Sequence, residues 1–279
     1  MSSKCISFKG NWSEKASEQS FQEHCDMICN NNHQFNNFRK PGSRFTSIVG
    51  MSIAYGKGGN FLAFTANKDC EILKNIDRFK INDRIGNPKL EDHPPYGKIS
   101  ANTLQYMASL VMIKNHIGDL DNKKIVEIGG GYGGFCTVIN SFYSPKRYSI
   151  VELPAVSKVQ RKYISSLVIK GVRCISSEKI YGVKNIDLVI SEYCICEFDD
   201  AGKNFYLDNI IKNSKNCFFK TNLRKGAKSS FIDSLSSIFD KVLLLSHDQV
   251  PHISVNTDTR SPLQIIVCKN NKLLTGKNV

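Results

Sequence analysis

A run of five glycines and one tyrosine, Gly129-Gly-Gly-Tyr-Gly-Gly134, directly follows the short apolar segment Lys124–Ile128. Glycine has no Cβ, so the backbone there can turn sharply and approach a ligand closely. The residues that follow have the composition of a helix, and the whole segment therefore predicts a strand, a tight turn and a helix. Gly129, Gly131 and Gly134 also fit the dinucleotide-binding pattern G-x-G-x-x-G, which alone is a weak signal.

Short apolar strands alternate with helical segments from Ser100 to the end of the chain. The predicted strands are Lys124–Ile128, Tyr148–Val151, Val172–Ile175, Ile186–Ser191, Cys217–Thr221, Val242–Leu245 and Leu263–Cys268. The loop Ser246–Pro262 joins the last two strands without a helix-length segment, so these two are expected to be antiparallel. We predict an α/β, Rossmann-like fold with a seven-stranded, mostly parallel sheet and a terminal antiparallel strand pair.

The first 98 residues lack this alternation of strands and helices. Helical stripes occupy Ser13–Asn31 and Asp69–Lys80, while Lys57–Asn60 and Gly86–Pro88 have turn-forming residues. The prolines in Asp92–Gly97 predict a rigid loop. We therefore predict a mainly helical cap or substrate region over residues 1–98 and a catalytic α/β domain over 99–279.

Two acids flank the glycine-rich loop and indicate its ligand. Glu152 ends the second predicted strand, the position of the acid that binds ribose hydroxyls in nucleotide-binding α/β folds. Glu127 lies two residues before Gly129, where a bound pyrophosphate would be repelled. S-adenosylmethionine has no phosphate, and its sulfonium and ammonium groups are compatible with a nearby carboxylate. The sequence therefore favours S-adenosylmethionine over a nicotinamide cofactor.

Four segments together resemble a family of sugar O-methyltransferases: Asn82–Pro88, Ile99–Tyr106, Val126–Gly134 and Val151–Pro154. The resemblance spans about residues 80 to 220, and Ser191–Glu197 is similar to the family's segment after the fourth strand. The family usually has Asp where this chain has Glu152. The resemblance implies a class I methyltransferase fold and an acceptor such as a deoxyhexose or amino-deoxyhexose on a nucleotide or a glycan. The expected cofactor contacts are Glu127, Gly129, Gly130, Gly131, Tyr132, Gly133, Gly134, Glu152, Leu153, Ser176, Ser191 and Glu192.

A sugar hydroxyl must lose its proton to become a good nucleophile, so a general base is expected near the strand ends. The candidates are His247 and His252 in the loop after the sixth strand, His93 in the proline-rich loop, and Glu197 after the fourth strand. Histidine titrates near neutral pH without much tuning. A Mg²⁺ ion held by Asp199 and Asp200 is a less favoured alternative, and we predict no metal site.

The net charge of +13 and the pI of about 9.2 suit an anionic partner. They support an alternative function as an RNA or nucleotide methyltransferase. However, the charge is not concentrated in one segment, and the segment after the fourth strand, which begins at Ser191, lacks the Asn/Asp-Pro-Pro-aromatic motif of base N-methyltransferases. We therefore expect a sugar or nucleotide-sugar substrate in preference to nucleic acid, and no membrane partner. A cofactor-binding pseudoenzyme is a further alternative. Ten scattered cysteines and the absence of an export signal predict a cytoplasmic protein, and a homodimer stays open.

Overall fold

The computed structural model describes residue 15 and residues 18–49, 51–180, 183–222, 225–245 and 264–275. Its helices are α1 Gln19–Asn30, α2 Asn32–Asn37, α3 Arg44–Ile48, α4 Gly58–Lys68, α5 Cys70–Lys74, α6 Ile76–Phe79, α7 Ala101–His116, α8 Gly134–Phe142, α9 Pro154–Ser166, α10 Asp200–Asn209, α11 Lys225–Ile238 and α12 Lys272–Thr275. Its strands are β1 Leu90–Asp92, β2 Lys98–Ser100, β3 Lys124–Ile128, β4 Arg147–Glu152, β5 Val172–Ser176, β6 Ile186–Glu192, β7 Ser214–Thr221, β8 Phe239–Leu245 and β9 Gln264–Asn271. Short 3₁₀ turns lie at Met51–Ala54, Lys80–Asp83, Ser177–Lys179, Ile195–Glu197 and Ile211–Asn213.

Seven strands form one sheet in the order β5-β4-β3-β6-β7-β9-β8. The first five are parallel, whereas β9 is antiparallel to both β7 and β8. The predicted Rossmann-like fold with its terminal antiparallel pair is therefore confirmed. From β3 the chain moves outward to β4 and β5 and then returns to β6 on the other side. The carboxyl ends of β3 and β6 thus flank the switch point, where open α/β sheets bind their ligands.

Local signals in the sequence position α7, the helix that precedes β3. The Ser100 hydroxyl accepts a hydrogen bond from the Thr103 N–H at 3.2 Å, so Ser100 is the N-cap as predicted. This helix is buried on nearly all sides, including polar residues such as Asn102 and Gln105. A buried helix that carries amide side chains needs partners for them, and several of these partners lie at the site described below.

The N-terminal region packs directly on helices of the α/β domain. Helix α1 lies against α9, and its buried residues Phe21, Cys25 and Ile28 belong to the same hydrophobic core as the residues of α7 and α8. Phe38 makes edge contacts with the rings of Tyr132 and Tyr163, at centroid distances of 6.0 and 6.1 Å. The residues before and after the predicted boundary at 98/99 therefore share one continuous core.

The turn predicted at Lys57–Asn60 is wrong, because α4 begins at Gly58. The reason is a tertiary contact: the Glu91 carboxylate accepts hydrogen bonds from the backbone N–H groups of Gly56 and Gly58, at 2.6 and 3.2 Å. A carboxylate there satisfies amides that would otherwise be unpaired at a helix N-terminus. The predicted loop after Asp92 is the turn of a hairpin in which β1 pairs with β2. Among the described residues, the helices are too short or too polar to cross a lipid bilayer.

Candidate active site

A cavity opens at the carboxyl ends of β3, β4 and β6, and α3, α7 and the Met51–Ala54 turn contribute to its wall. Its lining residues are Ile48, Val49, Met51, Asn102, Gln105, Tyr106, Glu127, Gly129, Gly130, Gly131, Tyr132, Val151, Glu152, Leu153, Val156, Ser177, Glu192, Tyr193, Cys194, Glu197, Phe198 and Tyr206. Ile48, Val49 and Met51 come from the N-terminal region, which therefore forms part of the site.

Two glycines of the loop after β3 differ in what a side chain would meet. Gly129 has φ +74, and a Cβ there would lie 2.2 Å from the Cys194 side chain. Gly131 has φ +53, and a Cβ there would meet only Val49, at 3.9 Å. Gly129 is thus required by packing. At Gly131 the backbone borders the cavity, and a side chain would occupy space that a ligand can use.

A buried polar network supports the glycine-rich loop that follows β3. The Tyr132 hydroxyl lies 3.1 Å from Nδ2 and 3.3 Å from Oδ1 of Asn82, and Tyr163 donates a hydrogen bond to the same Oδ1 at 2.8 Å. The Arg39 guanidinium lies over the Tyr132 ring, 4.5 Å from its centroid, and pairs with Asp83 at 3.3 Å. Because these groups are buried and mutually bonded, they fix the position of Tyr132 and hence of the glycine-rich loop.

Glu127 and Glu152 each bond to the framework of the site. Glu152 accepts the N–H groups of Gly131, at 2.9 Å, and Leu153, at 2.8 Å. Burial raises its pKa to about 7, although these two hydrogen bonds oppose the shift. Glu127 is buried and accepts the Tyr148 hydroxyl at 2.9 Å. Burial raises the pKa of Glu127 to about 8, against the lowering effect of that bond and with a further increase from the nearby carboxylates.

The cavity is acidic although the protein is strongly basic. Four carboxylates line it, those of Glu127, Glu152, Glu192 and Glu197, and none of its described lining residues is Lys, Arg or His. Burial, with the charge of Glu152, raises the pKa of Glu197 to about 7. Carboxylates that resist ionisation in a cavity favour a ligand that brings positive charge. A pyrophosphate would be repelled, which agrees with the interpretation of Glu127.

The structure brings most of the predicted cofactor contacts together. Glu127, Gly129, Gly130, Gly131, Tyr132, Glu152, Leu153 and Glu192 all line the cavity, as does the predicted base candidate Glu197. Ser191 and Ser176 are not among the described lining residues; their hydroxyls accept backbone N–H groups of Ile195, at 3.2 Å, and Glu178, at 3.4 Å. Gly133 caps α8, and a Cβ at Gly134 would lie 2.3 Å from the Tyr132 hydroxyl, so these two glycines serve the packing of the turn.

The other candidates for the base are placed differently. His93 lies beside Glu91, with Nε2 3.5 Å from the carboxylate, and is not among the described residues that line the cavity. His247 and His252 lie outside the described residues, so their role stays a prediction. Asp199 caps α10 by accepting the Gly202 N–H at 2.8 Å. In the described part of the chain, there is no cluster of three or more His, Cys, Asp or Glu residues arranged for a metal ion.

Sequence reasoning missed Lys220, which is fully buried at the end of β7 beside Glu192. The sequence does contain an indication that this lysine is unusual. Strands of a parallel sheet that are covered on both faces are almost entirely apolar, so a lysine inside Cys217–Thr221 is unexpected. It also did not assign Asn102, Gln105 and Tyr106 of α7 to the site, although they lie in the segment Ile99–Tyr106 that carries the family resemblance.

No family model and no curated protein matches this chain. Solved structures with a similar path of the chain include a Thermoplasma acidophilum protein, with 11% identity and a TM-score of 0.46 over 71% of this chain and 97% of that one. The methyltransferase domain of a bacterial Hen1 protein has 13% identity and a TM-score of 0.46, over 59% and 97% of the two chains. TrmK of M. capricolum, solved with S-adenosylhomocysteine, has 14% identity and a TM-score of 0.40, over 57% and 68%. The assignment of the fold rests on the strand order and register described above.

Proposed function

We propose that this protein is an S-adenosylmethionine-dependent O-methyltransferase that acts on a sugar hydroxyl. The observation that carries the cofactor assignment is the acidic cavity beside the glycine-rich loop, at the switch point of the sheet. S-adenosylmethionine is a cation at its sulfonium and ammonium groups, and it has no phosphate. A cavity with four carboxylates and no described basic side chain is the electrostatic complement of such a ligand.

The residues present fit this cofactor. The Glu152 carboxylate, at the end of β4, would accept the ribose hydroxyls, and the backbone of Gly129 to Gly131 would border the amino-acid part. Glu127 lies under Gly130, where a built Cβ would be 3.1 Å from Oε2, so its charge acts close to the loop. When bound, the cofactor supplies an activated methyl group on a sulfonium, a good leaving group. The protein then has to align the acceptor with that methyl and remove a proton.

The sugar acceptor is supported by the sequence motifs and by the polar residues of α7. Asn102 and Gln105 line the cavity with Tyr193, and amide and hydroxyl groups are well suited to a neutral, hydroxyl-rich ligand. The preferred acceptor is a deoxyhexose or amino-deoxyhexose. A phosphate that belongs to a nucleotide sugar would have to lie outside this cavity, because its described lining holds no basic side chain.

Calorimetry tests the cofactor and separates it from other ligands. We expect S-adenosylmethionine to bind, and NADH not to bind. Because Glu152 and Glu197 have pKa values of about 7, a cationic ligand favours their ionised forms. Binding at pH 7 should therefore release protons, which is measured by repeating the titration in buffers of different ionisation enthalpy. The absence of binding by both S-adenosylmethionine and S-adenosylhomocysteine would contradict the proposal.

A second assay tests the acceptor. The protein is incubated with methyl-labelled S-adenosylmethionine and a panel of free sugars, nucleotide sugars, glycan fragments and RNA oligonucleotides. Mass spectrometry then locates the label. The net charge of +13 keeps an RNA or nucleotide methyltransferase as the second candidate. Label on RNA alone would replace the sugar by RNA and would leave the cofactor assignment intact.

A further inference from the structure

Three polar atoms at the α7 side of the cavity are buried without a hydrogen-bond partner among the described residues. They are Oδ1 of Asn102, Oε1 of Glu192 and the hydroxyl of Tyr193. Such atoms are rare in folded proteins, and each costs about 1–3 kcal/mol when it is left unpaired. Two of them can only accept, so the ligand that satisfies them must bring hydrogen-bond donors. Hydroxyl groups do this, whereas the oxygens of an ionised phosphate do not.

The backbone conformation of Tyr193 also marks this part of the cavity. Tyr193 directly follows β6 and has φ +64, a conformation that non-glycine residues seldom adopt. Its N–H is bonded to the Lys220 carbonyl at 2.6 Å, which holds the residue in this conformation. Strain of this kind costs about 1–3 kcal/mol and is concentrated at functional sites.

Lys220 lies directly behind Glu192. Its Nζ is 3.8 Å from Glu192 Oε1 and 3.3 Å from Ser109 Oγ, and the side chain is completely buried. Burial lowers the pKa of Lys220, and the neighbouring carboxylate opposes that shift. Replacing a buried ion pair with apolar residues is often neutral or stabilising, so the pair is weak evidence for a role in stability. Its position between the core and the cavity wall suggests a role in the reaction instead.

We propose that Glu192 is the group that takes the proton from the acceptor hydroxyl, and that Lys220 is a positioning residue that holds the Glu192 carboxylate through their buried ion pair. This inference rests on the proposed methyl transfer. The hydroxyl oxygen forms a bond to the methyl carbon while the carbon–sulfur bond breaks and its electron pair stays on sulfur. The hydroxyl proton passes to Glu192 Oε1, the atom without a donor among the described residues.

Glu197 is less well placed for this role. The charge of Glu152, the carboxylate that would bind the ribose, raises the pKa of Glu197, so Glu197 belongs to the nucleoside end of the cavity. The charge of Glu192 instead influences the pKa values of groups around the α7 end of the cavity. Those titratable groups are Lys220 of β7, Glu127 of β3, Tyr148 of β4, Tyr106 of α7 and the adjacent Tyr193.

The pairing is tested without turnover by ¹³C NMR of the full-length protein labelled at the glutamate carboxyl carbons. The resonance that disappears in Glu192→Gln identifies Glu192, and it is titrated between pH 4 and 9. In Lys220→Met we expect its midpoint to be higher by about 1 to 3 pH units, because a cation within 4 to 6 Å favours the ionised form by that amount. Lys220→Arg should keep the wild-type midpoint. Equal midpoints in wild type and Lys220→Met would overturn the proposal.

The proton transfer is tested in two assays. The first measures binding of S-adenosylmethionine, and the second measures turnover of the acceptor that the panel of sugars and RNA has identified. Glu192→Gln should bind S-adenosylmethionine within threefold of wild type but lose about 10²–10⁴-fold in kcat. Lys220→Met should shift the acid limb of the pH profile of kcat to higher pH, by the same number of pH units as the NMR midpoint. If Lys220→Met does not fold, Lys220→Gln replaces it. A Glu192→Gln variant with normal kcat would overturn the proposal, and so would a large loss of S-adenosylmethionine affinity, which would assign the carboxylate to the cofactor. Failure of wild type to bind the cofactor would instead overturn the proposed function.

Discussion

Replacing Glu127 by Gln should change how the stability of the ligand-free protein depends on pH. Glu127 is buried, and burial raises its pKa from the ordinary 4.5 to about 8. The folded state therefore binds this proton more tightly than the unfolded state does. Its contribution to stability is complete below pH 4.5 and is lost as the pH rises to 8, because in that range the unfolded state releases this proton while the folded state still holds it. Glutamine keeps the size and can still accept the Tyr148 hydroxyl, but it does not ionise.

The magnitude follows from the width of this pH range. At about 1.36 kcal/mol per pH unit, the wild type should lose about 3–4 kcal/mol of unfolding free energy between pH 5 and 8 through this group alone. That is a large part of the ~5–15 kcal/mol of a typical domain. Glu152 and Glu197 titrate in both proteins, so the difference between wild type and Glu127→Gln isolates Glu127.

Urea unfolding of the ligand-free proteins at pH 5, 6, 7 and 8 measures the effect. We expect the unfolding free energy of Glu127→Gln to exceed that of the wild type by an amount that grows with pH. The exposed Glu23 provides a control, since Glu23→Gln should follow the wild-type curve within about 0.5 kcal/mol. A difference between wild type and Glu127→Gln that stays constant within 1 kcal/mol would refute the buried, protonated carboxyl.

Two further variants test the cofactor site by calorimetry with S-adenosylmethionine. Gly131→Val should abolish detectable binding, because its side chain would project into the cavity, while unfolding free energy falls by only about 1–2 kcal/mol from the positive φ. Gly171→Val is the matched control, since Gly171 has φ +76 and open space around it at the start of β5, and it should lose similar stability but no affinity. Glu152→Ala should weaken binding by about 1–3 kcal/mol, because the ribose donors and the Gly131 N–H would lose their acceptor; unchanged affinity in a folded Glu152→Ala protein would exclude the ribose role.

The strands of the sheet and the glycine-rich side of the candidate site were predictable from the sequence alone. The run Lys124–Ile128 predicted a strand with the bounds that the structure has, because a strand buried on both faces is mainly apolar. The capping by Ser100 was predictable for a similar reason, since it depends on residues three positions apart. The glycine-rich loop and its two acids are contiguous or lie at strand ends, so their meeting follows from the topology alone.

The start of α4 and the α7 side of the cavity depend on contacts between residues far apart in the sequence. The amides of Gly56 and Gly58 are satisfied by Glu91, more than thirty residues away, and no local pattern records that contact. Glu192 and Lys220 lie on adjacent strands, and they face each other because the parallel register pairs those two positions. The physical reason is the same in both cases. Short-range periodicity reports which face of an element is buried, whereas the partner of a polar group depends on how distant elements pack. For Glu192, that packing leaves one carboxylate oxygen without a hydrogen-bond donor among the described residues.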